Sequence, residues 1–275
     1  MSDQPIEDQV RHEVDAGIAR ITLNRPDVGN ALSPAQRDRI IDLLERASGD
    51  LNVRVVVIGA TGRHFCTGAD LRADQPADLD RPEGAPERPA GSVARLIASG
   101  SQRLVAAVLD CDKPVIAAVG GTAAGIGAHL ALASDLVVAS DQARFIEVFA
   151  RRGIVPDGGG AYLLPRLVGL HKAKELVFFA DDLAAAEAER IGLINAVVPA
   201  DELTATVDAW AARLATGPTV ALGLAKRLLN RSLDSDRIAA FAEEAAAQEI
   251  AMSSFDAQEG VASFVERRPT QFRGW

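Results

Sequence analysis

Two side chains stand where proton chemistry could be done. Asp157 lies in Val155-Pro156-Asp157-Gly158-Gly159, and His129 lies in Gly127-Ala128-His129-Leu130. A lone carboxyl can take a proton from one carbon and return it to another, and an apolar pocket that raises its pKa aids this. The competing reading of Asp157 is a helix cap before residues 158–164, a common role for Asp after Pro. An imidazole titrates near pH 6.5 and can serve as base or donor; a histidine among Ala128, Leu130 and Leu132 can equally be a satisfied core residue. Cys66 has no base partner nearby and reads as a small packing residue rather than a nucleophile. Two glycine-rich stretches, His64–Leu71 and Lys113–Leu130, could turn backbone N–H groups toward a ligand. Gly125-Ile126-Gly127 is not a dinucleotide fingerprint, because the third glycine would fall at position 130, which is Leu130. No phosphate loop ending in Gly-Lys-Ser/Thr and no metal-binding pair of histidines is present.

The elements that must position these residues follow from periodicity. Val10–Val14 and Ile18–Leu23 flank Asp15-Ala16-Gly17, a hairpin signal. Ser33-Pro34-Ala35-Gln36 opens a helix with a capping box and Pro at its first position; Ile40, Ile41, Leu43, Leu44 and Ala47 line its buried face. Val53–Ile58 and Val115–Val119 are continuous apolar runs, so they read as strands buried on both faces. A helix from Ser92 to about Leu109 lies between them. After the second glycine loop come a short apolar helix near 128–133 and a strand over Leu136–Ala139. Short elements run to Leu167. From Lys172 onward the pattern is helical, interrupted at Asn195–Pro199, with helices near 202–216, 220–232 and 237–254 bounded by Asp201, Gly217-Pro218 and Asp236. The Pro-, Asp- and Arg-rich segment Arg72–Pro89 reads as an excursion rather than a linker. Strands alternating with helices, then helices alone, predict an α/β core over 1–200 and a C-terminal helical region over 201–275.

Taken in order, the motifs resemble those of the crotonase (enoyl-CoA hydratase/isomerase) superfamily. The resemblance covers nearly the whole chain: Leu23-Asn24-Arg25-Pro26 with Asn30-Ala31-Leu32-Ser33; His64-Phe65-Cys66-Thr67-Gly68-Ala69-Asp70-Leu71; Lys113 to Leu130; Gly153 to Gly160 with Leu164-Pro165-Arg166; and Gly192-Leu193-Ile194-Asn195. It implies a crotonase-like spiral of ββα units with a C-terminal helical region, and an acyl-CoA thioester as substrate. The thioester oxygen would sit between the backbone N–H groups of Ala69 and Ile126. Thr67 and Ala69 would also hold the adenine of coenzyme A, and Arg25 would approach its phosphates. Coenzyme A is then part of the substrate, with no further cofactor and no metal. The resemblance further implies a homotrimer or homohexamer.

The chain departs from the superfamily's hydratases at their two glutamates. Those positions hold His129 and Phe149; Glu147 lies two residues before the second. An Asp at position 157 is similar to that of several isomerases and dehalogenases of the superfamily. The look is closest to the epoxyphenylacetyl-CoA isomerases of phenylacetate degradation, through Ala143-Arg144-Phe145-Ile146, Phe149 and Pro156-Asp157. Double-bond isomerisation with Asp157 as proton shuttle is therefore expected. Two rival expectations stand beside it: hydration of a 2-enoyl-CoA using His129 or Glu147 with Asp157, and a catalytically silent CoA-binding protein.

Composition excludes other classes. The 275 residues carry 29 Lys and Arg against 38 Asp and Glu, a net charge of −9, which disfavours nucleic acid and anionic membrane as partners. Aromatics are only 4%, which argues against a base-stacking surface. Two cysteines make no disulfide framework, and no signal peptide is visible ahead of Asp3, Glu7 and Asp8, so a cytoplasmic location is expected. Pro114–Ala133 is long enough to span a bilayer, but a strand, a glycine loop and a buried helix explain it better.

Overall fold

The computed structural model describes residues 4–72, 82, 84, 86 and 89–275. The strands are β1 (Val10–Asp15), β2 (Ile18–Leu23), β3 (Val55–Ala60), β4 (Val115–Val119), β5 (Thr122–Ala124), β6 (Leu136–Ser140), β7 (Arg144–Ile146), β8 (Leu183–Ala184) and β9 (Ala196–Val198). One sheet has the order β1-β2-β3-β4-β6-β9, and a second has the order β5-β7-β8. Only β1 pairs antiparallel in the first sheet; β2 through β9 run parallel there.

The apolar runs of β3 and β4 are continuous because both sheet faces are covered. Along a strand successive side chains alternate faces. Val55 and Val57, with Ile116 of β4, pack on Val207, Ala211 and Ala215 of the helix Leu203–Ala215. Val56 and Ile58, with Val115 and Ala117, pack the other way onto Ile40, Ile41 and Leu44 of the helix Pro34–Gly49 and Leu104 and Val108 of the helix Arg103–Leu109. Each of these Val, Ile and Leu side chains contributes about 1.5–3 kcal/mol on burial. The capping box on Pro34–Gly49 is present: Ser33 Oγ accepts from the Gln36 N–H, and Gln36 Oε1 accepts from the Ser33 N–H.

Several sequence expectations change. The helix expected over 92–109 is divided by a wider turn at Ala98–Gln102, which contains the buried Gly100. The short elements expected up to Leu167 are present as β7 and the turn Ala150–Arg152, but helix starts already at Gly160 and runs to Phe179, broken where Gly169 adopts φ 76° and ψ 162°. Asp201 caps nothing: the helix Leu203–Ala215 begins at Glu202 without a side-chain cap, whereas Asp236 does cap Arg237–Met252. A further helix, Phe255–Glu266, closes the described chain. Pro114–Ala133 divides into β4, β5 and the helix Ile126–Leu132. No helix among the described residues is long and apolar enough to cross a membrane. The 72–89 excursion lies largely outside the described residues.

Candidate active site

The two glycine-rich segments leave the carboxyl ends of β3 and β4, which are parallel neighbours. Crevices at such ends are where open α/β sheets place ligands. The segments are stitched together: the Cys66 N–H donates to Thr122 O at 3.1 Å, and the Ala124 N–H donates to Cys66 O at 2.9 Å. A third segment joins from the other side. The Leu32 N–H donates to Gly68 O at 2.8 Å, and the Asp70 N–H donates to Leu32 O at 2.9 Å. In that parallel pairing Leu32 bonds to the residues flanking Ala69, so Ala69's own N–H points away from Leu32. Ile126 is the first residue of its helix, and such an N–H has no partner within the helix. Neither N–H donates to an acceptor among the described residues.

Ala69, Ile126 and Asp157 line one cavity of about 160 Å³, together with Leu32, Arg37, Ile97, Ser101 and Leu104. Burial raises the Asp157 pKa above the usual carboxylate value, and the nearby His129 opposes that rise. Asp157 is not a side-chain cap. The helix starts at Gly160 with Gly159 before it, and only the Asp157 carbonyl takes part, accepting from the Gly160 N–H at 3.3 Å. A larger groove of about 610 Å³ lies between the helices Thr219–Arg231 and Arg237–Met252. It is lined mainly by Ala, Leu and Phe side chains, with Glu244 its one titratable group. Size alone therefore does not locate the chemistry.

His129 is fully buried beside this cavity. Its Nε2 lies 3.0 Å from Glu147 Oε2, and its ring stacks on Phe149 with centroids 5.3 Å apart. The sequence offers Glu147 only as an alternative to His129 in the hydratase reading; the structure pairs the two. The signal for Glu147 was a single carboxyl inside Phe145-Ile146-Glu147-Val148-Phe149, a run otherwise suited to the core.

The remaining candidates are engaged by the protein. Arg25 Nη1 donates to Asp70 Oδ2 at 3.0 Å, Gln36 Oε1 at 2.9 Å and Ala31 O at 3.3 Å, so its guanidinium ties the first segment to the Ala69 loop. Thr67 donates both its N–H and its hydroxyl to Gly29 O. Burial pushes the Cys66 thiol up to about 12, which keeps it protonated and inert. Gly127 must be glycine because a Cβ there would collide with the carbonyl oxygen of Cys66. Gly127→Ala is expected to lower stability by about 1–3 kcal/mol, read from the urea midpoint.

A mostly parallel sheet whose loops bring two N–H groups, without acceptors among the described residues, into one cavity with a half-buried carboxyl is the arrangement of a crotonase-type protein. Comparison with known proteins agrees. The family described as Enoyl-CoA hydratase/isomerase matches residues 13–274. A Rhodobacter capsulatus protein named "Probable enoyl-CoA hydratase" is 39% identical over 96% of this chain and 98% of its own. The 1,2-epoxyphenylacetyl-CoA isomerase of Escherichia coli K12 is 35% identical over 95% of this chain and 97% of its own. The crystal structure of an enoyl-CoA hydratase/isomerase from Cupriavidus metallidurans CH34 superposes with a TM-score of 0.84 at 35% identity, covering 98% of this chain and 97% of that one. The chain belongs to the enoyl-CoA hydratase/isomerase family and is an acyl-CoA enzyme of that family.

Proposed function

We propose that the chain shifts the double bond of an enoyl-CoA through an enolate. The Ala69 and Ile126 N–H groups receive the thioester oxygen as negative charge builds on it. Asp157 takes the proton from one carbon and returns it to another. The electron pair of the broken C–H bond moves toward the oxygen, then back to the carbon that is reprotonated. Coenzyme A enters as part of the substrate, and the reading needs no other cofactor.

The observation that carries this reading is the sharing of one cavity by Asp157, Ala69 and Ile126. The other carboxyl lining it, Asp70, accepts from Arg25, and Glu147 is turned to His129. Water addition asks for one group to activate water and another to protonate carbon. Phe149 fills the second glutamate position of the hydratases and can do neither. The hydratase reading draws its support from the name of the Rhodobacter relative. Exposed apolar side chains such as Phe178, Phe179, Phe241 and Phe264 support the homotrimer or homohexamer that the resemblance implies. Arg25 is assigned a loop-holding part, with coenzyme A contacts left to the Thr67–Ala69 backbone.

The test is incubation with a panel of 2-enoyl- and 3-enoyl-CoA thioesters in heavy water, read by mass spectrometry. Deuterium uptake with an isomeric product is expected. A product heavier by one water would replace isomerase with hydratase. Tight binding without any chemistry across the panel would leave a silent binder.

A further inference from the structure

We propose that Glu147 and His129 act as one unit: Glu147 holds the imidazole through Nε2 so that Nδ1 carries a hydrogen, and that N–H is the donor that steadies the Asp157 carboxyl during the reaction. This rests on the reading of Asp157 as the proton shuttle.

The argument starts from burial. His129 is 0% exposed and Glu147 is 5% exposed. An uncompensated charge in such a place costs several kcal/mol, so a pair with no net charge is strongly favoured. Asp181 borders the same small space as Glu147, and a second carboxyl there disfavours a negative pair further. Three arrangements of a 3.0 Å Nε2–Oε2 contact are neutral overall. One is an imidazolium donating to a carboxylate. Another is a neutral ring whose Nε2 accepts from the carboxylic acid. Both put a hydrogen on Nδ1; the third, a neutral Nε2–H donating to the carboxylic acid, leaves Nδ1 bare and the acid hydrogen without an acceptor among the described residues, so it is disfavoured. A carboxylate against a ring with a bare Nδ1 would leave one buried negative charge.

Nδ1 has no hydrogen-bond partner among the described residues. An unsatisfied buried N–H is destabilising. Such a group needs an acceptor, and its surroundings say where that acceptor comes from. A Cβ built on Gly158 would lie 3.5 Å from Nδ1, 3.1 Å from Ser101 Cβ and against Ile126 Cδ1. Nδ1 thus faces the turn that follows Asp157, on the side where Ser101 and Ile126 line the cavity. His129 is close enough to Asp157 to oppose the rise that burial gives its pKa. Glu147 does not line that cavity, so it works through His129 as a positioning residue. Phe149, stacked on the ring, fixes its plane.

The first measurement is the tautomer itself. The intact protein is labelled with ¹⁵N-histidine and its ring nitrogens are observed at neutral pH by long-range ¹H–¹⁵N correlation. The chain has 4 histidines, and His129 is assigned by its loss in His129→Asn. A protonated Nδ1 is expected; a bare Nδ1 overturns the proposal, whatever the variants do. The second measurement compares Glu147→Gln with Glu147→Met under saturating substrate. A glutamine amide can donate to Nε2 and keep the hydrogen on Nδ1, whereas methionine cannot. Met is expected to lower kcat by up to about a hundredfold with KM little changed, since misplacement of a reacting group costs on that order. Gln is expected to recover most of that loss. Parental kcat in the Met variant, or equal losses in both, would overturn the proposal. Full turnover in Asp157→Asn would instead remove the shuttle reading and leave the tautomer result standing.

Discussion

Asp157→Asn is expected to lower kcat by about 10²–10⁴-fold, the usual contribution of a positioned acid–base group, while KM for the enoyl-CoA changes little. The amide keeps the shape of the side chain but cannot accept the substrate proton. The proposed donors at Ala69 and Ile126 are untouched, so ligand binding should persist. The parent should also show a characteristic acid limb. The proposed base is the ionised Asp157 carboxylate, and burial raises that group's pKa. Activity should therefore fall, as pH drops, at a pH above the ordinary Asp value of about 3.9. Stability runs the other way. A carboxyl whose folded pKa is raised binds more protons folded than unfolded between the two values, so its contribution declines as pH rises through that window. Asp157→Asn lacks this penalty and should be at least as resistant to heat as the parent at neutral pH. Steady-state kinetics and melting curves over a pH series read both effects. Turnover retained in the Asn variant would remove Asp157 from the mechanism.

Ile126→Pro is expected to cost about 10²–10³-fold in kcat, the effect of removing one oxyanion donor. The position allows an unusually clean deletion. Ile126 is the first residue of its helix, where proline fits the backbone and its missing N–H breaks no helical hydrogen bond. The side chain also matters, because Ile126 Cδ1 touches the space beside Gly158. Ile126→Ala is the matched control, losing the same packing but keeping the N–H. A large kcat difference between the two variants, at similar melting temperatures, isolates the donor. Equal rates would mean that the thioester oxygen is held elsewhere.

Much of this architecture was legible in the residues. The capping box at Ser33, the hairpin around Asp15-Ala16-Gly17 and the strand Val115–Val119 rest on interactions among near neighbours, and all are present. The two glycine loops were legible because small residues after buried strands have few other uses. What escaped depends on contacts distant in sequence. Glu147 and His129 are 18 residues apart, and nothing in either segment states that β7 ends beside the helix Ile126–Leu132. The helix from Gly160 has no capping side chain and carries Pro165 inside, so local signals speak against it; its packing against the imidazole overrides them. The resemblance implies a phosphate contact for Arg25; its bond to Asp70, 45 residues on, has no local signal.

The fit of Gly160 against His129 has a consequence for how this site can change over generations. A Cβ at position 160 would overlap the imidazole, so no side chain is admitted there while the ring stays. A smaller residue at 129 would free that space, and only then could 160 accept alanine. The two positions form an ordered pair: one mutational path between His-Gly and a smaller-larger combination passes through an intermediate free of overlap, at the loss of the imidazole, and the other passes through a clash. Lineages that retain the histidine are thereby bound to the glycine, while those that lose it gain a second variable position in the floor of the site.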